Sequence, residues 1–189
     1  QRPYETYQNF IIRNSGQDWM RSSIHDAALT SLMRGSGLEF LEHNPVATYI
    51  NGEYWGVYNM REKLNEHTIA AKFNLNPDDI TILQAEGIIV QGDNSEYLQL
   101  MDYVSNTDLR SNSNFQYVAD RVDLKNYALY QATQIYFNNW DWPGNNIKFW
   151  KHTNGKWRWF LYDTDFGFGA PWEVGWFNDG TTDDYQDNT

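Results

Sequence analysis

The chain has 189 residues, 41% hydrophobic and 17% aromatic, enough to bury one sizeable core and few enough that a single compact unit is expected. A formal net charge of -11 argues against a nucleic-acid binder, which gains affinity by setting a basic face on phosphates, and suits basic partners or bound cations instead. The absence of cysteine excludes disulfides, thiolate metal sites and cysteine nucleophiles, while leaving the redox compartment open.

No apolar run approaches the roughly 20 residues that a membrane-spanning helix requires. The N-terminal Gln1-Arg2-Pro3-Tyr4 has neither an initiator methionine nor the layout of a signal peptide, so a processed or excised chain is expected.

The pattern begins with a short strand over 10–13, then a helix over 20–34 with Ile24, Ala27, Ala28 and Leu32 at helical spacing and Gly35 as its stop. Runs at 46–50 and 53–61 flank Asn51-Gly52, a pair that tolerates positive φ at both turn positions and so predicts a hairpin. A short helix follows over 65–73, then two brief strands at 80–83 and 88–90 around Glu86-Gly87. Helices are expected at 95–105 and 114–121. A longer one is expected from an Asp123 cap to about Trp140, with Leu124, Tyr127, Ala128 and Ile135 as its stripe. A second hairpin pairs 147–150 with 157–162 around Asn154-Gly155, and 163–169 reads as a Gly-rich acidic loop. Residues 1–170 are taken as one core, and the acidic tail 171–189 as partly disordered.

The order of these parts carries the chemistry. Protein kinases place a catalytic-loop Asp five residues before a metal-binding Asn, follow it with a short hairpin, and then supply a second metal ligand from an Asp-Phe-Gly loop. Here Asp141 precedes Asn146 by five residues, the hairpin over 147–162 follows, and Asp165-Phe166-Gly167 comes after it. Phosphoryl transfer asks a protein chiefly to neutralise and align a polyphosphate, and hard Mg²⁺ takes oxygen ligands. Asp165 and the Asn146 amide oxygen would serve as those ligands, Asp141 would take or orient the proton of the attacking hydroxyl, and Gly167 and Gly169 would let the backbone come close to the ligand. Asp163, two residues before Asp165, is either a further ligand or a carboxylate satisfied by loop amides. The four histidines show no ligand spacing and read as ordinary, partly exposed side chains.

Residues 138–146 (Asn-Asn-Trp-Asp-Trp-Pro-Gly-Asn-Asn) and 162–169 (Tyr-Asp-Thr-Asp-Phe-Gly-Phe-Gly) resemble the CotH family, the spore-coat protein H atypical kinases. The stretches at 12–19, 49–58 and 61–63 agree with it, so the resemblance runs through nearly the whole chain. It implies an α+β, protein-kinase-like core with β-hairpins and a helical lobe, ATP with Mg²⁺ or Mn²⁺, transfer to protein Ser or Thr hydroxyls, and a secreted or surface bacterial protein. Carried over by position, Asp141 would be the catalytic Asp, and Asn146 and Asp165 metal ligands. Arg61, Glu62 and Lys63 sit where kinases place their phosphate-binding Lys, with Glu66 as an ion-pair partner; alternation alone leaves open which of the three points inward. Trp140 stands where other protein kinases have Arg, and no Gly-x-Gly-x-x-Gly loop precedes the first hairpin.

Family members generally extend on both sides of this stretch, so parts of the nucleotide clamp or substrate lobe are expected to lie outside it. The acidic balance favours basic Ser-rich acceptor segments. A different class of reading rests on nine Trp and thirteen Tyr, which could form a carbohydrate-binding or adhesive surface, and a catalytically inactive kinase-derived docking fold is a third. The oligomeric state is not legible in the sequence.

Overall fold

A computed structural model describes residues 8–19 and 22–168, without the side chain of Gln17. The expectations for the tail 171–189 and for Gly169 lie outside these residues. The class is α+β, with two sheets and five α-helices among the described residues. None of those helices is long and apolar enough to cross a membrane.

The first sheet has three antiparallel strands. β1 (Phe10–Arg13) and β3 (His43–Ile50) flank β4 (Glu53–Glu62). Asn51 (φ 52°) and Gly52 (φ 86°) join β3 to β4, the two left-handed residues that the Asn-Gly signal predicts. Between β1 and β3 lie α1 (His25–Ser31) and the two-residue β2 (Glu39–Phe40). α1 is shorter than the predicted helix because Ser23 takes φ 58° and the Asp18 carboxylate accepts from the Ser22 and His25 amides, so regular helix starts only after them. Beyond Ser31 the chain tightens into i→i−3 bonds as far as Arg34. Its buried face is Asp26, Ala27, Leu29 and Thr30, whereas Ile24, Ala28 and Leu32 are exposed.

The second sheet runs β2-β8-β7-β5-β6, with β5 (Ile80–Gln84), β6 (Ile88–Gln91), β7 (Lys148–His152) and β8 (Arg158–Leu161) antiparallel to their neighbours and β2 parallel to β8. α2 (Glu66–Phe73), capped by Asn65, covers one face through Ile69 and Ala70 on Ile80, Ile82, Trp150 and Phe160. On the other face Leu100 of α3 (Ser95–Asn106) meets Leu83, Phe149 and Trp157, beside α4 (Asn112–Ala119). Because both faces are covered, Phe149, Trp150 and Lys151 of β7 are all buried and the strand shows no in-out alternation.

α5 (Leu124–Phe137) starts, as predicted, with the Asp123 carboxylate accepting from the Asn126 amide, and it stops three residues early where Asn138 turns left-handed. Its buried residues are Asn126, Tyr130, Thr133, Gln134 and Phe137; Tyr127, Ala128 and Ile135 of the expected stripe are exposed. The inward face mixes aromatic Tyr130 and Phe137 with hydrogen-bonded polar groups. Asn126 donates to Glu39 Oε2 at 3.0 Å and accepts from the Trp159 amide at 2.6 Å. A third cluster, of Leu29, Leu38, Phe40, Tyr130, Phe137, Trp142 and Leu161, ties α1, β2, α5 and β8 together beneath the acidic loops.

Candidate active site

The loop after α5 is built on a buried amide. The Asn139 side chain, wholly inaccessible, donates to Gln134 Oε1 at 2.9 Å, and the Asn139 carbonyl accepts from the Trp142 amide at 3.1 Å. Asp141 lies between these anchors. Its Oδ2 accepts from Asn146 Nδ2 at 2.7 Å, and the same amide nitrogen lies 3.4 Å from the Asp163 carbonyl oxygen. Asn146 therefore ties the first loop to the second and spends its nitrogen in doing so, which leaves the amide oxygen as its ligating atom.

The second loop leaves β8 through Asp163, which is left-handed at φ 54°. The Thr164 amide and hydroxyl donate to Asp26 Oδ1 at 2.7 and 3.1 Å. Gly167 is held from both sides, its amide donating to the Thr164 carbonyl at 2.9 Å and its carbonyl lying 2.8 Å from His25 Nε2. A Cβ at Gly167 would come within 2.6 Å of Leu29 Cδ1 and 3.0 Å of the Thr164 carbonyl. This glycine thus lets the loop pack on α1, a role different from the close approach to ligand expected of it.

Four carboxylates, Asp26, Asp141, Asp163 and Asp165, gather around these loops. Asp165 is 2% exposed, and burial, the neighbouring Asp163 charge and the more distant acids push its pKa up to about 6 against the partial relief of Arg13. Burial and the Asp163 charge also raise Asp141 above the ordinary carboxylate range. Burial works against the Asp26 anion too, but the Arg61 guanidinium and the Thr164 donor hold its pKa below the ordinary value. Asp141 Oδ1 and Asp165 Oδ2 are both shut off from solvent with no hydrogen-bond partner. Buried carboxylate oxygens that accept no hydrogen bond suit a hard cation as a partner. No three His, Cys, Asp or Glu side chains among the described residues already converge as a metal cage.

Of the four residues assigned by resemblance to the nucleotide, Arg61 and Glu62 are buried, and Lys63 is exposed. Alternation along β4 sends the two buried side chains to opposite faces. Arg61 forms an ion pair with Asp26, while Glu62 Oε2 accepts from the Glu42 amide at 3.0 Å. The expected partner Glu66 lies instead 3.4 Å from His67: the counter-ion of Arg61 comes from α1, earlier in the chain. Arg61 Nε and Nη2 are buried without partners. A pocket of about 160 Å³ beside the strand ends is lined by Phe10, Glu42, His43, Met60, Arg61 and Glu62, and Asp141 and Asp165 lie outside its lining.

Two residues missed by the sequence reading organise the site. Asp26 joins α1, Arg61 and Thr164. Arg13, at the end of β1, places Nη2 2.5 Å from Asp163 Oδ1 and 3.6 Å from Asp165 Oδ2, and Nη1 3.5 Å from Asp26 Oδ2. Arg13 lies within the 12–19 stretch that carries the family resemblance, which was a signal of place without a role. Asp26 gave no signal, since its partners are 35 and 138 residues away.

The family model described as CotH kinase protein matches residues 1–189, the whole chain. No curated protein matches it.

Proposed function

We infer that this chain, a member of the CotH kinase family, carries a kinase-like core that transfers the γ-phosphate of ATP to Ser or Thr hydroxyls of a protein. The observation that carries the reading is the pair of buried carboxylate oxygens on Asp141 and Asp165 that accept no hydrogen bond, on two loops stitched together by Asn146. Asp165 and the Asn146 oxygen would hold Mg²⁺, with Asp163 as a further ligand once its partner Arg13 is moved. The ion supplies neutralisation of polyphosphate charge.

Asp141 receives the proton of the acceptor hydroxyl as the new O–P bond forms and the bond from the γ-phosphorus to the bridging oxygen breaks, with ADP leaving. Its raised pKa makes it a better proton acceptor than an ordinary aspartate. Arg61, held by Asp26 with two free donor nitrogens, is the residue of the 61–63 group best placed to meet an anionic oxygen, with Glu62 beside it at the strand end. Lys63 and Glu66, nearer the surface, are weaker candidates for nucleotide contact.

Melting the chain with ATP and Mg²⁺, together with radiolabel transfer to a basic Ser-rich peptide, tests this. Asp141→Asn should keep the thermal shift and lose about 10²- to 10⁴-fold in transfer, whereas Asp165→Ala should lose both. No shift in the intact chain would sink the reading. A shift without transfer would mark an inactive kinase-derived fold. The carbohydrate-binding reading loses Trp142, Trp150 and Trp157 to the core and, among the described residues, keeps exposed aromatics such as Tyr49, Tyr54 and Trp55 at the first hairpin; sugar binding without nucleotide binding would favour it.

A further inference from the structure

We propose that Arg13 is a tethered counter-ion that occupies the cation position of the acidic site and must be displaced when a divalent metal binds. The proposal rests on the metal-site reading above and adds a competitor for that site from within the chain.

The geometry is that of a bridging cation. One guanidinium reaches three carboxylates on two different elements: Asp163 and Asp165 through Nη2, and Asp26 through Nη1. Those same two loop acids would otherwise repel each other two residues apart with no metal between them. The Arg13 side chain is about one-quarter exposed, and the Asp163 and Asp26 charges stabilise its charged form against partial burial.

Backbone on the following segment closes over this junction. Ser15 and Gly16 are both left-handed, and a Cβ on Gly16 would come 2.9 Å from Asp165 Oδ2 and 3.0 Å from Arg13 Nη2. A guanidinium stands 3.6 Å from Asp165 Oδ2, so a divalent ion on the same oxygen would lie no more than about 6 Å from it, where the two like charges repel. Asp26 already has Arg61 and the Thr164 donors, so it keeps its shape when Arg13 leaves. Asp163 and Asp165, whose described ion-pair partner is Arg13 alone, become the ligands that its departure frees.

The test is Mn²⁺ binding, without nucleotide, followed by electron paramagnetic resonance in wild type, Arg13→Gln, Arg13→Lys and Asp165→Asn. Arg13→Gln should bind Mn²⁺ roughly tenfold more tightly than wild type, because a like charge has been removed from the ion's neighbourhood; Arg13→Lys, which retains the charge, should stay on the wild-type side of that difference. In the unmodified protein, Mn²⁺ should speed the modification of Arg13 by phenylglyoxal, read by peptide mapping, and this arm needs no variant to fold. Equal or weaker binding by Arg13→Gln, or unchanged or slower labelling with metal, overturns the proposal while leaving the metal site standing. Wild type and Asp165→Asn binding Mn²⁺ alike would instead overturn the metal-site reading itself.

Discussion

Asp165 sits in an environment far from water, inaccessible and beside other acids. A carboxylate with its pKa raised to about 6 keeps a proton in the folded chain that the unfolded chain has already lost above pH ~4. Folding then binds protons between about pH 4 and 6, so the stability of the metal-free chain falls across that window as pH rises, and the loss is complete above it. Urea melts in the presence of a chelator should show this slope, and Asp165→Asn should reduce it and raise stability at pH 7 by about 3 kcal/mol. A flat profile in wild type would mean that Asp165 is ionised throughout. Asp165 and Asp141 were legible in the sequence because the kinase order fixes their spacing. Their buried oxygens, which accept no hydrogen bond, were not, because burial depends on α1 and β1, which come from the other end of the chain.

At the scale of elements, Asp26 does the joining. From α1 it reaches Arg61 on β4, Arg13 on β1 and Thr164 on the acidic loop. Asp26→Ala would leave Arg61 buried beside no counter-charge, and removing one partner of a buried pair costs about 3 to 5 kcal/mol. Denaturant melts should show that loss, and a cost under about 1 kcal/mol would mean that solvent reaches Arg61. The hairpins were legible because Asn51-Gly52 and Asn154-Gly155 declare their turns locally. The stripes assigned to α1 and α5 were misplaced for a common reason: a helix face can be buried through satisfied polar groups, as at Asp26, Asn126 and Gln134, and a hydrophobic pattern registers only apolar ones.

For the whole molecule, the five-stranded sheet is the scaffold on which the acidic loops stand, since β7 and β8 lead from one loop to the other. Leu83, inaccessible on the interior strand β5, should cost about 2 to 5 kcal/mol as Leu83→Ala. Ile89, exposed on the edge strand β6, should cost less than about 0.5 kcal/mol as Ile89→Ala. Equal effects in thermal or urea melts would contradict the layering. The net charge of -11 belongs to this scale too. If acceptors are basic, the KM for a Lys- and Ser-rich peptide should rise as salt screens the attraction, and an acidic peptide should be the poorer substrate. Equal use of both would discard the charge argument.

The sequence by itself determined the family, the order of strands and helices apart from the two-residue β2, both hairpin turns and the spacing of Asp141, Asn146 and Asp165, because each of these is written in neighbouring residues or in chain order. Only the tertiary structure decided which cations meet these acids: Arg61 pairs with Asp26 rather than Glu66, and Arg13 sits between Asp163 and Asp165. The physical reason is distance along the chain. Arg13 and Asp163 are 150 residues apart, and an ion pair of that separation is chosen by the packing of β1 and α1 against the loop after β8, which no local pattern encodes.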